Sequence, residues 1–304
     1  MAPTTLPPGI ASYSRDLVNK QGLKLATYTF TPPAPKGVIL FIHGSRAHFQ
    51  YDFMLNDGAP GEEPRYEGSW LAYAVERGFV CVGLDLQGHG RSDSARGKVG
   101  YVERFDHLVD DVDCVLEYCS QRHPGLPFFA VGVSLGGCVA VNSALRRPSA
   151  YRGLVLLAPM LRLERISKQG ANPYLKPLAD LLDVIAPTAS LVHMPASPNP
   201  VEARRYELDA LTQKGAGRVR NACEFLKATA STSLRSVSLD VPFLVFQSAD
   251  DTAVDPEGAE MLVEKSQTND ATLRWATGMW HALTKEKGWQ ALRSESFEWM
   301  GARL

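Results

Sequence analysis

The sequence predicts an α/β domain: a mostly parallel sheet covered by helices on both faces and interrupted once by a helical insertion. Three observations carry this expectation. Short, continuous apolar runs rich in β-formers recur with helical stretches between them, the pattern of strands buried on both faces. In an open sheet of this kind the chemically usable residues lie on loops leaving the carboxyl ends of strands, and His43, Asp85 and Ser134 directly follow three of the runs. Residues 160–236 then break the alternation before it resumes.

Taken in order, Met1 to Arg15 holds prolines and threonines but no apolar core between a basic start and a cleavage site, so it does not read as a secretory signal. Val38–Ile42 runs into His43-Gly44-Ser45, and Phe79–Leu84 into Asp85-Leu86-Gln87-Gly88-His89-Gly90. A helix over Asp106 to Arg122 aligns Leu108, Val109, Val112, Val115, Leu116 and Cys119 on one stripe. Asp110, Asp111, Asp113 and Glu117 are expected to face water, close to the helix start that the dipole favours for acids. Phe128–Val133 precedes a helix over Cys138–Arg146, which Pro148 ends, and Gly153–Leu157 stops at Ala158-Pro159. After Val241 come Phe243–Phe246, ending in Gln247-Ser248-Ala249-Asp250-Asp251, and Thr272–Ala276, ahead of His281.

The interruption contains no clear strand and several prolines. Tyr174, Leu175, Leu178, Leu181, Leu182 and Ile185 form an apolar helical face, expected to pack on the core, with a substrate-lining or membrane-touching role open beside it. The division expected is therefore core 1–159, helical cap 160–236 over the strand ends, and core 237–304.

Bulk properties narrow the function. A formal net charge of −1 with no Lys/Arg cluster argues against nucleic acid as a partner. No run of about 18 apolar residues suits a bilayer span. Cys81, Cys114, Cys119, Cys138 and Cys223 are odd in number and scattered in apolar segments, with no C-x-x-C pair, so they read as reduced core residues of a cytosolic protein. Neither metal nor cofactor is expected.

The chemistry concentrates at Ser134, in Gly132-Val133-Ser134-Leu135-Gly136-Gly137. A buried strand hands over to a helix there, glycines remove the Cβ atoms that would clash, and one hydroxyl is left exposed on a strained bend. A serine hydroxyl needs a base in contact and a group orienting that base. On an open α/β sheet the expected chain order is nucleophile, acid, histidine. Only His281 follows the last strand. His43 and His89 sit in tight glycine loops and are expected to brace them, His107 and His123 look solvated, and His48 and His193 carry no assignment. Asp250, Asp251 and Asp255 compete for the orienting role; Asp255 has a sufficient local role as N-cap before Pro256, and spacing does not separate the other two. The oxyanion donors expected are the backbone N–H groups of Leu135 and Ser45.

These motifs, together with Tyr66-Glu67-Gly68-Ser69-Trp70, Gly83 through Asp93, Phe105 through Val112 and Pro242 through Glu286, make the chain resemble the α/β-hydrolase superfamily. Within it the chain is similar to the monoacylglycerol lipase and lysophospholipase group, from about Leu23 to the C-terminus. The resemblance implies a Ser134–Asp251–His281 triad, since Asp251 stands in the family's acid position ahead of Thr252-Ala253-Val254. It also implies a cofactor-free serine ester hydrolase acting with water on a single-chain lipid ester, in transient contact with a membrane surface through the cap. From the missing signals alone the location expected is cytoplasmic, or peripheral to membranes or lipid droplets. The chain departs from the group at Ser248, where a glycine is common, and in its long Arg46 to Pro64 loop. A short-chain carboxylesterase, an acyltransferase on the same triad and a non-catalytic ligand receptor are the alternatives.

Overall fold

One sheet of eight strands organises the chain. They are β1 (Ala11–Val18), β2 (Lys24–Phe30), β3 (Gly37–Ile42), β4 (Phe79–Leu84), β5 (Phe128–Val133), β6 (Gly153–Leu157), β9 (Phe243–Gln247) and β10 (Ala271–Trp275). The computed structural model describes residues 6–167, 180–192 and 197–304. Spatial order is β1-β2-β4-β3-β5-β6-β9-β10. β1–β2 and β2–β4 pair antiparallel, and every pairing from β4 to β10 is parallel.

The expected α/β-hydrolase architecture is present. β3, β4, β5, β6 and β9 are buried along their whole length, as continuous apolar runs require. Their side chains alternate between two cores. Val38, Leu40 and Ile42 face α3 (Phe105–Arg122) and α4 (Leu135–Arg146). Ile39 and Phe41 face α1 (Phe49–Phe53), α2 (Trp70–Glu76) and α10 (Trp289–Gly301).

Several details differ from what the sequence led us to expect. β1 and β2 give the sheet an antiparallel edge that the apolar runs did not reveal. The stripe of α3 is buried as read, but Asp111 and Asp113 are buried with it. Asp111 accepts hydrogen bonds from the Asn19 and Gln87 side-chain amides and the Gln87 N–H, and Asp113 accepts one from the Ser143 hydroxyl. Burial pushes the Asp111 carboxyl up to about 7 against those donors. Asp255 is no side-chain cap: its carboxylate accepts the Arg165 N–H, and α9 (Glu257–Lys265) begins after Pro256. Four of the cysteines are buried, while Cys114 is half-buried.

The chain leaves the sheet after β6 and returns at β9. Between them lie α5 (Glu164–Ser167), α6 (residues 180–185), α7 (Pro200–Leu208) and α8 (Val219–Arg235). A short antiparallel ribbon, β7 (Ser190–Val192) with β8 (Gly217–Arg218), is also there, a strand pair where none was expected. α8 buries Phe225 and Ala228 in the α3/α4 core, so this end of the insertion is integral to the domain. Of the expected apolar face, Tyr174, Leu175 and Leu178 lie outside the described residues. Leu181 and Ile185 face solvent rather than the core, with Val184 and Leu191 exposed beside them. Among the described residues, no helix is long and apolar enough to cross a membrane.

Candidate active site

The turn between β5 and α4 positions Ser134 at φ 50°, ψ −115°; among the described non-glycine residues only Arg46, Arg96 and Ala158 share its positive φ. Such backbone persists only where the surroundings over-determine it. The Ser134 N–H donates to the Leu157 carbonyl, and its own carbonyl accepts the N–H groups of Gly137, Cys138 and Met160. The glycines serve close approach rather than unusual φ. A Cβ on Gly132 would lie 2.6 Å from the Gly136 carbonyl oxygen, and one on Gly136 would lie 2.1 Å from that of Ile42.

Three strand ends then deliver one continuous row. His281 Nε2 lies 3.0 Å from Ser134 Oγ, and His281 Nδ1 lies 2.7 Å from Asp251 Oδ2. Asp251 is 1% exposed. Its Oδ1 accepts the N–H groups of Ala253 and Val254 at 2.8 and 3.0 Å, and its Oδ2 also accepts from Gln247 Nε2 at 3.0 Å. Asp250 points to solvent, its N–H donating to Ser248 Oγ. The geometry thus brings together Ser134, Asp251 and His281 and leaves Asp250 outside. Ser248 donates its hydroxyl to the Met279 carbonyl, joining the acid's turn to the histidine's loop.

That loop has a further brace the sequence did not disclose. The Glu286 carboxylate accepts the backbone N–H groups of Trp280, His281 and Ala282. Burial pulls the His281 pKa down. The charge and hydrogen bond of Asp251, with the Glu286 and Asp52 carboxylates, outweigh it and leave the imidazole above its ordinary value. Imidazolium is therefore favoured beside Asp251, as a base collecting the serine proton requires.

Opposite the serine lies the turn His43-Gly44-Ser45. A Cβ on Gly44 would stand 3.5 Å from Ser134 Cβ, which sets how closely the two turns meet. The Gly44 N–H donates to Asp52 Oδ2 at 2.7 Å, and Lys285 Nζ lies 3.4 Å from Asp52 Oδ1. His43 bonds the Gly44 carbonyl through Nδ1 and accepts the Leu86 N–H at Nε2. Burial lowers its pKa, so the neutral ring serves as a brace, as expected. His89, held against the Gln87 carbonyl, is pushed down to about 3 by burial. Among the described residues nothing accepts the Ser45 N–H. Leu135 opens α4, where the first N–H has no intrahelical acceptor.

His48, unassigned from sequence, bonds Asp209 of the insertion through Nε2 at 3.1 Å. Burial works against the Asp209 charge, yet this bond and the Leu211 and Thr212 N–H groups hold its carboxyl down to about 2. His193 lies outside the described residues. A cavity of about 240 Å³, lined by His48, Tyr51, Glu62, Arg91 and Arg205 among others, opens between the long loop and α7; it includes neither Ser134 nor His281.

A strained serine hydrogen-bonded to an imidazole, which is bonded in turn to a buried carboxylate, on this sheet defines a serine hydrolase of the α/β-hydrolase fold. A family model described as serine aminopeptidase, S33, matches residues 54–288, a range that contains all three side chains. The chain belongs to that hydrolase family. It is 29% identical to the monoglyceride lipase of Homo sapiens over 281 residues, covering 89% of this chain and 84% of that protein. It is 24% identical to the monoacylglycerol lipase of Mycolicibacterium smegmatis, covering 93% and 95%. A soluble variant of the Saccharomyces cerevisiae monoglyceride lipase, solved with a substrate analogue, superposes with a TM-score of 0.76 at 18% identity, covering 100% of this chain and 97% of that one.

Proposed function

We propose that this protein is a cofactor-free serine ester hydrolase that cleaves single-chain acylglycerols or lysophospholipids through an acyl-enzyme. The observation that carries it is the row Asp251–His281–Ser134, closed at 2.7 and 3.0 Å. Ser134 Oγ attacks the ester carbonyl as His281 Nε2 takes its proton, and Asp251 holds the proton on Nδ1 and balances the imidazolium. The Ser45 and Leu135 N–H groups bind the tetrahedral oxyanion. His281 returns its proton to the leaving alcohol, then takes one from the attacking water and passes it to Ser134 Oγ as the acyl–oxygen bond breaks and the fatty acid leaves.

Relatives named for monoacylglycerol lipase activity, matched over most of both chains, support the substrate class. Residues 160–236 serve as the cap between core segments 1–159 and 237–304. The exposed Leu181, Val184, Ile185 and Leu191 on that segment support transient contact with a lipid surface, approached from the aqueous side at a cytoplasmic membrane or lipid droplet.

The test is a substrate panel: monoacylglycerols, lysophospholipids, p-nitrophenyl esters of rising chain length and aminoacyl p-nitroanilides. Preference for a long single acyl chain is expected, with loss of fluorophosphonate labelling in Ser134→Ala. Activity confined to acetate and butyrate, or faster anilide cleavage, refutes the lipid reading.

A further inference from the structure

Residues flanking Ser45 are held from two different parts of the fold. On one side the Gly44 N–H is bound by Asp52 of the core. On the other stands Arg46, a non-glycine residue at φ 65°. Its carbonyl accepts the Gln213 N–H at 2.8 Å, and its Nη2 donates to the carbonyls of Gln213 and Gly215 at 2.8 and 2.5 Å. Tyr206 Oη lies 2.7 Å from the Gln213 carbonyl and 3.2 Å from that of Arg46. A hydroxyl has one proton, so the shorter contact takes it and the Gln213 N–H is the steady donor to Arg46. Tyr206, Gln213 and Gly215 all belong to the segment between β6 and β9. Gln213 is itself seated on the core, its side-chain amide packed where a Cβ on Gly100 would have to go.

We infer that Arg46 is a positioning residue through which the inserted segment sets the oxyanion hole. This rests on the ester-hydrolase reading and on Ser45 as a donor. An arginine is driven out of the left-handed region by its own Cβ, so the turn keeps this conformation only while outside partners hold it. Those partners sit on the segment between β6 and β9. With Tyr206–Gly215 seated against it, Arg46 is fixed, and through the Ser45–Arg46 peptide so is the preceding Gly44–Ser45 peptide, which carries the Ser45 N–H.

The experiment compares wild type with Arg46→Ala, Arg46→Gly and Tyr206→Phe, using p-nitrophenyl butyrate so that the result does not depend on the natural lipid. Arg46→Ala is expected to lower kcat about tenfold with KM within about twofold, and Arg46→Gly and Tyr206→Phe to lower it by about threefold. A trifluoromethyl ketone, whose carbonyl becomes a tetrahedral oxyanion on Ser134, should lose affinity by the same factor as kcat falls. An ether analogue of the ester, which forms no oxyanion, should bind as before. A purely structural role would weaken both ligands together. Equal losses for ketone and ether overturn the inference, as does an unchanged kcat. Arg46→Gly, which accepts positive φ without strain, decides the matter where Arg46→Ala melts early. Failure of wild type on every ester, with Ser134 unlabelled by fluorophosphonate, sinks the parent reading and this one with it.

Discussion

Replacing Asp251 by asparagine isolates the orienting carboxylate, and its hydrogen bonds dictate the outcome. Oδ1 faces two backbone donors, the N–H groups of Ala253 and Val254. An amide nitrogen cannot sit there without opposing both, so the asparagine oxygen takes that place. Its NH₂ group then replaces Oδ2 and points at His281 Nδ1, 2.7 Å away. A donor in that position requires Nδ1 to be the acceptor, which moves the ring proton to Nε2 and aims it at Ser134. The base is then in the wrong tautomer, and the imidazolium loses its counter-charge. A change of this kind costs about 10⁴ in kcat, or about 5 kcal/mol of transition-state stabilisation. Asp250→Asn, on a solvent-facing side chain, should stay within about twofold. Steady-state kinetics on one p-nitrophenyl ester, with Tm measured to show that both variants fold, makes the comparison. A folded Asp251→Asn enzyme within tenfold of wild type, or a larger loss from Asp250→Asn, refutes the reasoning.

Four further outcomes follow from neighbouring contacts. Glu286→Ala strips the acceptor from three backbone N–H groups around His281 and should lower kcat about 10- to 100-fold; a change within twofold would show that the loop holds itself. Because the His281 pKa is raised and the neutral ring is the proposed base, kcat/KM should fall as pH drops through a value above the ordinary 6.5, and Asp251→Asn should move that limb down. The same shift makes the pair's contribution to stability complete below 6.5 and lost as pH rises through the raised value, checked by Tm against pH in wild type and Asp251→Asn. Gly136→Ala would set a Cβ 2.1 Å from the Ile42 carbonyl oxygen, against backbone that cannot step aside, and should lower Tm by about 6 °C or more; an unchanged Tm would contradict the packing described.

The parallel part of the fold was legible because a strand buried on both faces has no polar position to break its apolar run. β1 lacked that property. It is an edge strand whose Ser12, Ser14, Arg15 and Asp16 look like loop, and β2 is its one strand partner among the described residues. The acids of α3 failed for a related reason. Helical spacing separates an apolar stripe from the rest of the surface. It says nothing of what another segment brings to the stripe's border. Asn19 and Gln87 cover Asp111, and Ser143 covers Asp113, all from sequence positions that no local pattern connects to the helix.

The same distinction divides the candidate site. Ser134 and His281 were legible because the turn chemistry and the order of strand ends leave few choices. Asp251 emerged from the family resemblance, since adjacent aspartates cannot be told apart by spacing; what separates them is that one turns into the interior and the other out. The groups that hold the site had no signature at all. Glu286 and Asp52 act by accepting backbone N–H groups, which every residue but proline offers, so any carboxylate of the right reach serves and no residue type on the receiving side marks the place. Arg46 goes further, since its left-handed backbone ran against what an arginine prefers. Local propensity fails where the fold imposes a conformation from outside, and here the imposing contacts come from the inserted segment onto the residue beside a candidate oxyanion donor.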